Sequence, residues 1–397
     1  MIEALSWILL GCLLGVFTGL MPGIHVNTIA VLFLAFSESN DLNIALLIVA
    51  TSVVHSFVDF IPSILIGAPD TDSFLSVLPG HYFFLKGEGL YAIKLTAAGG
   101  IFSVLFCILL LPFFWLLIAG LAEFLYSLIP FILVALIALM VLSEKGGKKK
   151  WALATILLSG ITGIIGLNSG SMQETLFPLV TGFFGSSTLV YSLTKEHSIT
   201  EQKTGVFKEE KKTIIKGSFF STVAGAIVSF FPSVGASTAA FLLGEFTKKI
   251  SRNEFLVVLG GVNTANTIFS FAVLFLIGKA RTGAAATVKQ LIGLNETSLL
   301  LIFAAVLISA SFGYIATDII GKKAIKWILA VNYRNLSKYV LGLLFLLVLF
   351  LSGLYGMILF LVSTAIGLLP LSTGIKRTHC MAFLMFPTIL LYLGFAA

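Results

Sequence analysis

Gly15–Ala30 reads GVFTGLMPGIHVNTIA, and this stretch decides the architecture because the chain repeats it. Gly225–Ala240, GAIVSFFPSVGASTAA, aligns with it without gaps and shares Gly15/Gly225, Pro22/Pro232, Thr28/Thr238 and Ala30/Ala240, with Asn27 facing Ser237. A second match follows at nearly the same offset, Ile66-Gly67-x-x-x-Thr71 against Ile277-Gly278-x-x-x-Thr282. Farther on, Gly163-Ile-Ile-Gly166 sets against Gly353-Leu-Tyr-Gly356. Self-similarity of this kind reads as two related halves. In each half a proline interrupts an apolar run, and proline removes a backbone donor and breaks a helix.

The surroundings are those of a membrane protein. Of 397 residues, 58% are hydrophobic and 11% charged, with 36 phenylalanines and a mean hydropathy of +1.06. A soluble domain carries about 25% charged residues. Apolar runs such as Ile101–Leu121, Trp151–Leu167, Leu256–Ile277 and Val340–Leu351 recur along the chain. A crossing needs about 20 such residues. No stretch is long and polar enough for a soluble domain. The net charge of +7 reads as lysines held on cytoplasmic loops rather than as a nucleic-acid surface. Cys12, Cys107 and Cys380 lie in apolar runs without C-x-x-C spacing, which implies neither a disulfide nor a metal site. Met1-Ile2-Glu3 lacks a basic n-region, so the first apolar segment reads as retained.

Charge sets the expected orientation. The basic loops Ser143–Lys150 and Lys195–Lys216, with further basic clusters such as Lys376-Arg377, belong in the cytoplasm, and the acidic, lysine-free Ser37–Asn43 belongs outside. Residues 1–194 form the first repeat, 195–216 a basic linker and 217–397 the second repeat. Within them, re-entrant hairpins are expected at 4–36 and 217–246, with arms of about 15 residues, and broken segments at 60–78 and 278–294. The expected fold is an all-α polytopic membrane protein of two inverted-topology repeats. Each holds about five transmembrane helices plus a re-entrant broken hairpin, the plan of alternating-access carriers.

Broken backbone inside a membrane must face protein or water. The paired interruptions therefore point to the solute site. Gly19, Pro22, Gly23, Pro232, Gly235, Gly67 and Gly278 set the hairpin and turn geometry. Asn27, Thr28, Ser237, Thr238, Asn263, Asn266 and Arg281 are the expected solute contacts. Arg281, with Lys279, reads either as a carboxylate clamp or as a side chain snorkelling to the interface. Asp70 and Asp72 would hold Na⁺ or relay protons, or else sit on a wet loop. His55 and Asp59, four apart on one helical face, are a coupling pair or a hydrogen-bonded packing pair. Asn263 and Asn266 bind solute or cation, or else bond between helices, and Asn266 falls opposite His55 in the repeat. His25, at the first hairpin tip, reads as structural.

Gly15-x₆-Pro22-Gly23, the run IPSILIGAP at Ile61–Pro69 and GVNTAN at Gly261–Asn266 resemble the large membrane subunit of tripartite tricarboxylate transporters, the TctA family. The resemblance implies a permease working with a small membrane subunit and an extracytoplasmic solute-binding protein, driven by an ion gradient. The chain departs from that pattern in its short length, in Asp70 and Asp72, and in Lys279 and Arg281.

These readings converge on a secondary transporter of the plasma or inner membrane. It would carry a small organic anion, a di- or tricarboxylate, coupled to Na⁺ or H⁺, with no other cofactor, no nucleic acid and a homo-oligomeric state. An enzyme would need a set such as H-E-x-x-H or G-x-S-x-G, and ATP-driven transport a P-loop; the sequence contains none of them. The alternatives are lipid or polyprenyl-carrier handling, and a channel or accessory subunit without its own solute site.

Overall fold

The computed structural model describes residues 2–21, 26–36, 41–66, 77–168, 172–194, 201–203, 211–229, 239–240, 243, 250–278, 280, 282–293, 295–329 and 333–395. Among them every regular element is helical. In order they are α1 (Ile2–Leu20), α2 (Val26–Phe36), α3 (Leu42–Val58), α4 (Phe60–Ile66), α5 (Val77–Leu85), α6 (Gly89–Leu142), α7 (Lys148–Asn168), α8 (Met172–Val180), a π-helical segment Thr181–Ser186 and α9 (Ser187–Leu193). Then follow α10 (Lys211–Val228), α11 (Arg252–Ile277), α12 (Gly283–Leu291), α13 (Glu296–Leu329), α14 (Tyr333–Thr373), a 3₁₀ turn Arg377–Met381 and α15 (Ala382–Tyr392). Seven helical stretches among the described residues are long and apolar enough to cross a membrane. Large apolar side chains such as Leu109, Phe113, Leu116, Leu300, Phe350 and Leu354 stand exposed on them, as lipid contact requires. The protein is a multi-pass, all-α membrane protein.

Local chemistry fixes the ends. Asp41 Oδ1 accepts the Ile44 N–H (3.1 Å) and Ser251 Oγ that of Glu254 (3.1 Å), a side-chain cap at the start of α3 and of α11. Asn295 and Ser298 exchange bonds at the start of α13 (2.8 and 2.9 Å). Gly278 closes α11 in the left-handed region (φ 65°), where a side chain would be strained. Within α14 the backbone breaks at Gly353 (φ 61°, ψ −161°). Its apolar stretch Ser337–Thr373 spans about 55 Å if straight, nearly twice the hydrocarbon thickness, and the break divides it into arms of about 24 and 30 Å.

Two bundles result. The first gathers α1–α5, the start of α6 and α10–α13; the second gathers α7–α9, α14, α15 and the short segments between them, with α6 reaching both. In the first bundle α3 with α4, and α11, are enclosed by protein on all sides, while the remaining long helices keep a lipid face. Close approaches give relative directions. A Cβ on Gly15 would lie 2.7 Å from Thr51 O, and one on Gly19 2.8 Å from Val58 Cβ, so α1 and α3 run in the same sense. Gly217 meets Val257 and Gly225 meets Ala265, so α10 and α11 do too. Gly260 packs on Thr96, and the Trp115 and Phe275 rings lie 5.5 Å apart, which aligns α6 with α11. Lys94 reaches Asp318 (3.7 Å) and Gly321 packs on Ile93, while Val104 and Leu111 share a cavity with Phe303 and Leu307, so α13 runs against α6. Cys12 Sγ meets Ser309 Oγ (3.6 Å) and Phe57 meets Gly313, which sets α13 alongside α3. Hence α3 and α11 run in opposite senses.

The structure corrects three details of the sequence reading. α1 is a 19-residue helix, longer than the expected arm, and α2 has 11 residues. The glycines of α1 do not weaken it into a short arm because they let it lie against α3. α10 begins at Lys211, inside the expected linker. The pairing of Gly163–Gly166 with Gly353–Gly356 fails, since the former lies in unbroken α7 and the latter at a break. The packing pairs Gly163 with Gly367 instead: a Cβ on Gly163 would overlap Phe383 O, and one on Gly367 would overlap Phe183 O. Four residues before each glycine, Ser159 Oγ bonds His379 O (3.3 Å) and Ser363 Oγ bonds Pro178 O (3.2 Å). The Phe183 and Phe383 rings lie 5.2 Å apart, between the two contacts.

Candidate functional site

The enclosed helices of the first bundle carry polar groups that lipid would not tolerate, and the fold turns them toward one another. Asp59 sits where α3 gives way to α4, 2% exposed, its N–H bonded to His55 O. From the opposed helix, Asn263 Nδ2 donates to Asp59 Oδ2 (3.3 Å) and to Ser56 O (3.2 Å). Ser56 Oγ and Thr264 Oγ1 lie 3.4 Å apart. One turn back, His55 Nδ1 lies 3.0 Å from Thr18 Oγ1, whose proton goes to Gly15 O. That leaves the Thr18 oxygen free to accept from Nδ1–H. Asn266 is buried one turn beyond Asn263, and its Oδ1 finds no hydrogen-bond partner among the described residues. A buried amide oxygen without a partner costs about 1–3 kcal/mol, so it marks a place where a ligand has something to gain.

A second locus joins the halves again. Asn27 Oδ1, in the first turn of α2, accepts the Ala284 N–H (3.1 Å) at the start of α12, and Gly283 lies against the same amide. Thr282 Oγ1 caps the next N–H, of Ala285 (3.1 Å), and Lys289 Nζ closes on Gly278 O (2.6 Å). The expected first hairpin tip and second broken segment thus meet through Asn27.

Of the other expected residues, Gly19 packs on Val58 beside Asp59, and Thr28 falls in α2. Pro22, Gly23, His25, Gly67, Asp70, Asp72, Pro232, Gly235, Ser237, Thr238, Lys279 and Arg281 lie outside the described residues.

Residues 5–382 match the family described as tripartite tricarboxylate transporter TctA. The chain belongs to the TctA family. It is also 32% identical over 399 residues to the uncharacterized protein MJ1079 of Methanocaldococcus jannaschii, covering 98% of this chain and 99% of that one. No solved structure matches it. A TctA protein is a component of a tripartite transporter, working with further membrane and solute-binding subunits, and is not an enzyme.

The TctA chain also holds buried charge that sequence reasoning assigned only to orientation. Arg377, 5% exposed in the second bundle, donates to Thr188 Oγ1 (2.7 Å), Phe183 O (3.1 Å), Phe184 O (2.6 Å) and Ser187 Oγ (3.1 Å). It thereby satisfies carbonyls in the π-helical segment. Burial pushes its guanidinium down to about 10, still charged at neutral pH. Nearby, Glu144 accepts the Lys376 N–H (2.9 Å) and pairs with His379 Nε2 (3.0 Å). Burial works against the charge of this carboxylate, but the Lys376 N–H and His379 outweigh it and hold Glu144 below its ordinary value. Thr18 and Thr264 were also missed. Nothing in an isolated threonine within an apolar run distinguishes a site hydroxyl from one bonded to its own helix.

Proposed function

We propose that this TctA-family chain is the permease of its system, an ion-coupled secondary transporter for a small organic anion, a di- or tricarboxylate. The observation that carries the reading is the meeting of Asn263 with Asp59, in an enclosed interior, between helices from the two halves that run in opposite senses. An intramembrane acid at a helix break is characteristic of a coupling site. Asp59 with the Ser56 and Asn266 oxygens suits Na⁺, a hard cation that takes oxygen donors, and the same acid with His55 suits a proton.

The halves are inverted-topology repeats in this reading. In support, a Cβ on Gly15 would lie 3.2 Å from the His55 backbone nitrogen as one on Gly225 would lie 3.0 Å from that of Asn266, and the Gly163–Phe383 and Gly367–Phe183 contacts mirror each other. The end that carries Lys211, Lys212, Lys216 and Arg252 is the cytoplasmic one, in the plasma membrane, and the end with Glu3 and Asp41 is external. The solute lies between the Asn27–Ala284 junction and the Asp59–Asn263 pair, with Thr28, Ser237, Thr238 and Arg281 contributing to its binding and Arg281 selecting carboxylate. Access alternates as the first bundle moves against the second.

The test is uptake of labelled di- and tricarboxylates by proteoliposomes, with Na⁺ and proton gradients imposed separately, with and without the partner subunits. Uptake driven by one gradient and lost in Asp59→Asn is expected. Uptake at the parent's level by both Asp59→Asn and Asn263→Ala would contradict the assignment.

A further inference from the structure

The end of the first bundle at which α6 and α11 begin carries a separate constellation. Lys86 Nζ lies 4.4 Å from the ring centre of Tyr82, and the Arg252 guanidinium carbon lies 4.1 Å from the same centre. Lys86 follows α5 by one residue and Arg252 opens α11, so tertiary folding brings the two cations to one ring. Like charges gathered this way repel unless an anion offsets them. The nearby acids are already engaged, Glu88 with Lys203 (2.8 Å) and Glu254 with Lys216 (2.9 Å). Neither Lys86 nor Arg252 has a carboxylate partner among the described residues. The ammonium of Lys86, and after it the Arg252 guanidinium, hold the Tyr82 phenol below its ordinary value.

The level of this cluster is fixed. α6 and α11 begin side by side, Asn253 Nδ2 donating to the Tyr91 hydroxyl (2.9 Å), and both helices then enter their membrane spans. Tyr82 and Tyr91 each meet the buried Phe83 edge-on (5.9 and 6.0 Å), which seats them on the end of the bundle and leaves Lys86 and Arg252 exposed there.

We propose that Tyr82, Lys86 and Arg252 form a binding site for the phosphate of an anionic phospholipid headgroup. The guanidinium supplies a planar fork for two phosphate oxygens, the ammonium a point charge and the phenol a hydroxyl donor. Free inorganic phosphate shares this chemistry, and the position of the exposed Lys86 and Arg252 at the start of two membrane spans favours the lipid. The site is independent of the interior transport site.

Native mass spectrometry of the purified chain tests it, with phosphatidylglycerol, phosphatidylcholine and inorganic phosphate as probes. The parent should retain one phosphatidylglycerol with about tenfold preference over phosphatidylcholine. Lys86→Gln/Arg252→Gln should lose that preference, and Lys322→Gln/Lys323→Gln, altering other basic residues, should keep it. Arg252→Lys, which keeps the charge and loses the fork, should weaken retention severalfold and guards against misfolding of the double variant. The phenolate absorbance removed by Tyr82→Phe should titrate at higher pH once phosphatidylglycerol is bound, because the lipid offsets both cations. Equal retention by the parent and by both charge-altered variants would overturn the site. Displacement of the lipid by equimolar inorganic phosphate would overturn its assignment to a lipid.

Discussion

The two bundles use their buried polar groups differently. In the second, Arg377 makes four hydrogen bonds to carbonyls and hydroxyls of Phe183–Thr188, and Glu144 ties the α6–α7 turn to the 3₁₀ turn. In the first, contacts between α3 and α11 are longer, 3.2–3.4 Å, and Asn266 Oδ1 is left without a partner among the described residues. Among the described residues both bundles keep buried atoms without a partner, Arg377 Nε and Thr181 Oγ1 in the second among them, so the contrast lies in what the bonded groups join: Arg377 and Glu144 tie neighbouring segments of one bundle, and Asp59 and Asn263 link helices of opposed sense. Substitutions in the second bundle should therefore cost stability, and those in the first should cost transport.

The largest stability loss is expected for Arg377→Leu, which removes four hydrogen bonds, to the Phe183 and Phe184 carbonyls and the Ser187 and Thr188 hydroxyls. Thermal unfolding in detergent should show a loss of roughly 3 kcal/mol or more, or no folded protein. Gly163→Val and Gly367→Val come next at about 1–3 kcal/mol, since each added side chain overlaps a carbonyl of the facing segment. Equal losses in these two would sharpen the pairing of the contacts, and a neutral result in one would break it. Glu144→Gln should cost less, with a pH signature. A carboxylate held below its ordinary value stabilises the fold above the unfolded value of about 4.3, and that contribution disappears as pH falls through the folded value. Parent and variant should differ in melting temperature at pH 7 and converge in acid. The smallest cost, under about 1 kcal/mol, belongs to Asn266→Ala, because its Oδ1 gives up no bond. Uptake by that variant should nevertheless fall.

The membrane class was legible because apolar runs of crossing length recur throughout the chain. The break at Gly278 and the shared face of His55 and Asp59 were legible from local rules of backbone and helix period. That Asn263 is the residue meeting Asp59 depends on the crossing of α3 and α11, which no local pattern encodes. Arg377 was read with Lys376 as an orientation signal, because its cradle of carbonyls consists of backbone atoms that carry no sequence mark. The Tyr82–Arg252 contact was invisible for the related reason that its partners are far apart in the chain.

The account rests on α1 and α10, the opening helices of the two halves, entering the membrane from opposite faces and so bringing Asp59 and Asn263 together. The direct measurement is labelling of Glu3→Cys and Lys212→Cys by a membrane-impermeant maleimide in right-side-out and inverted vesicles. The native cysteines are buried, so both exposed positions report cleanly. The account predicts label at Glu3→Cys only from outside and at Lys212→Cys only from inside. Label at both positions from the same side would contradict it.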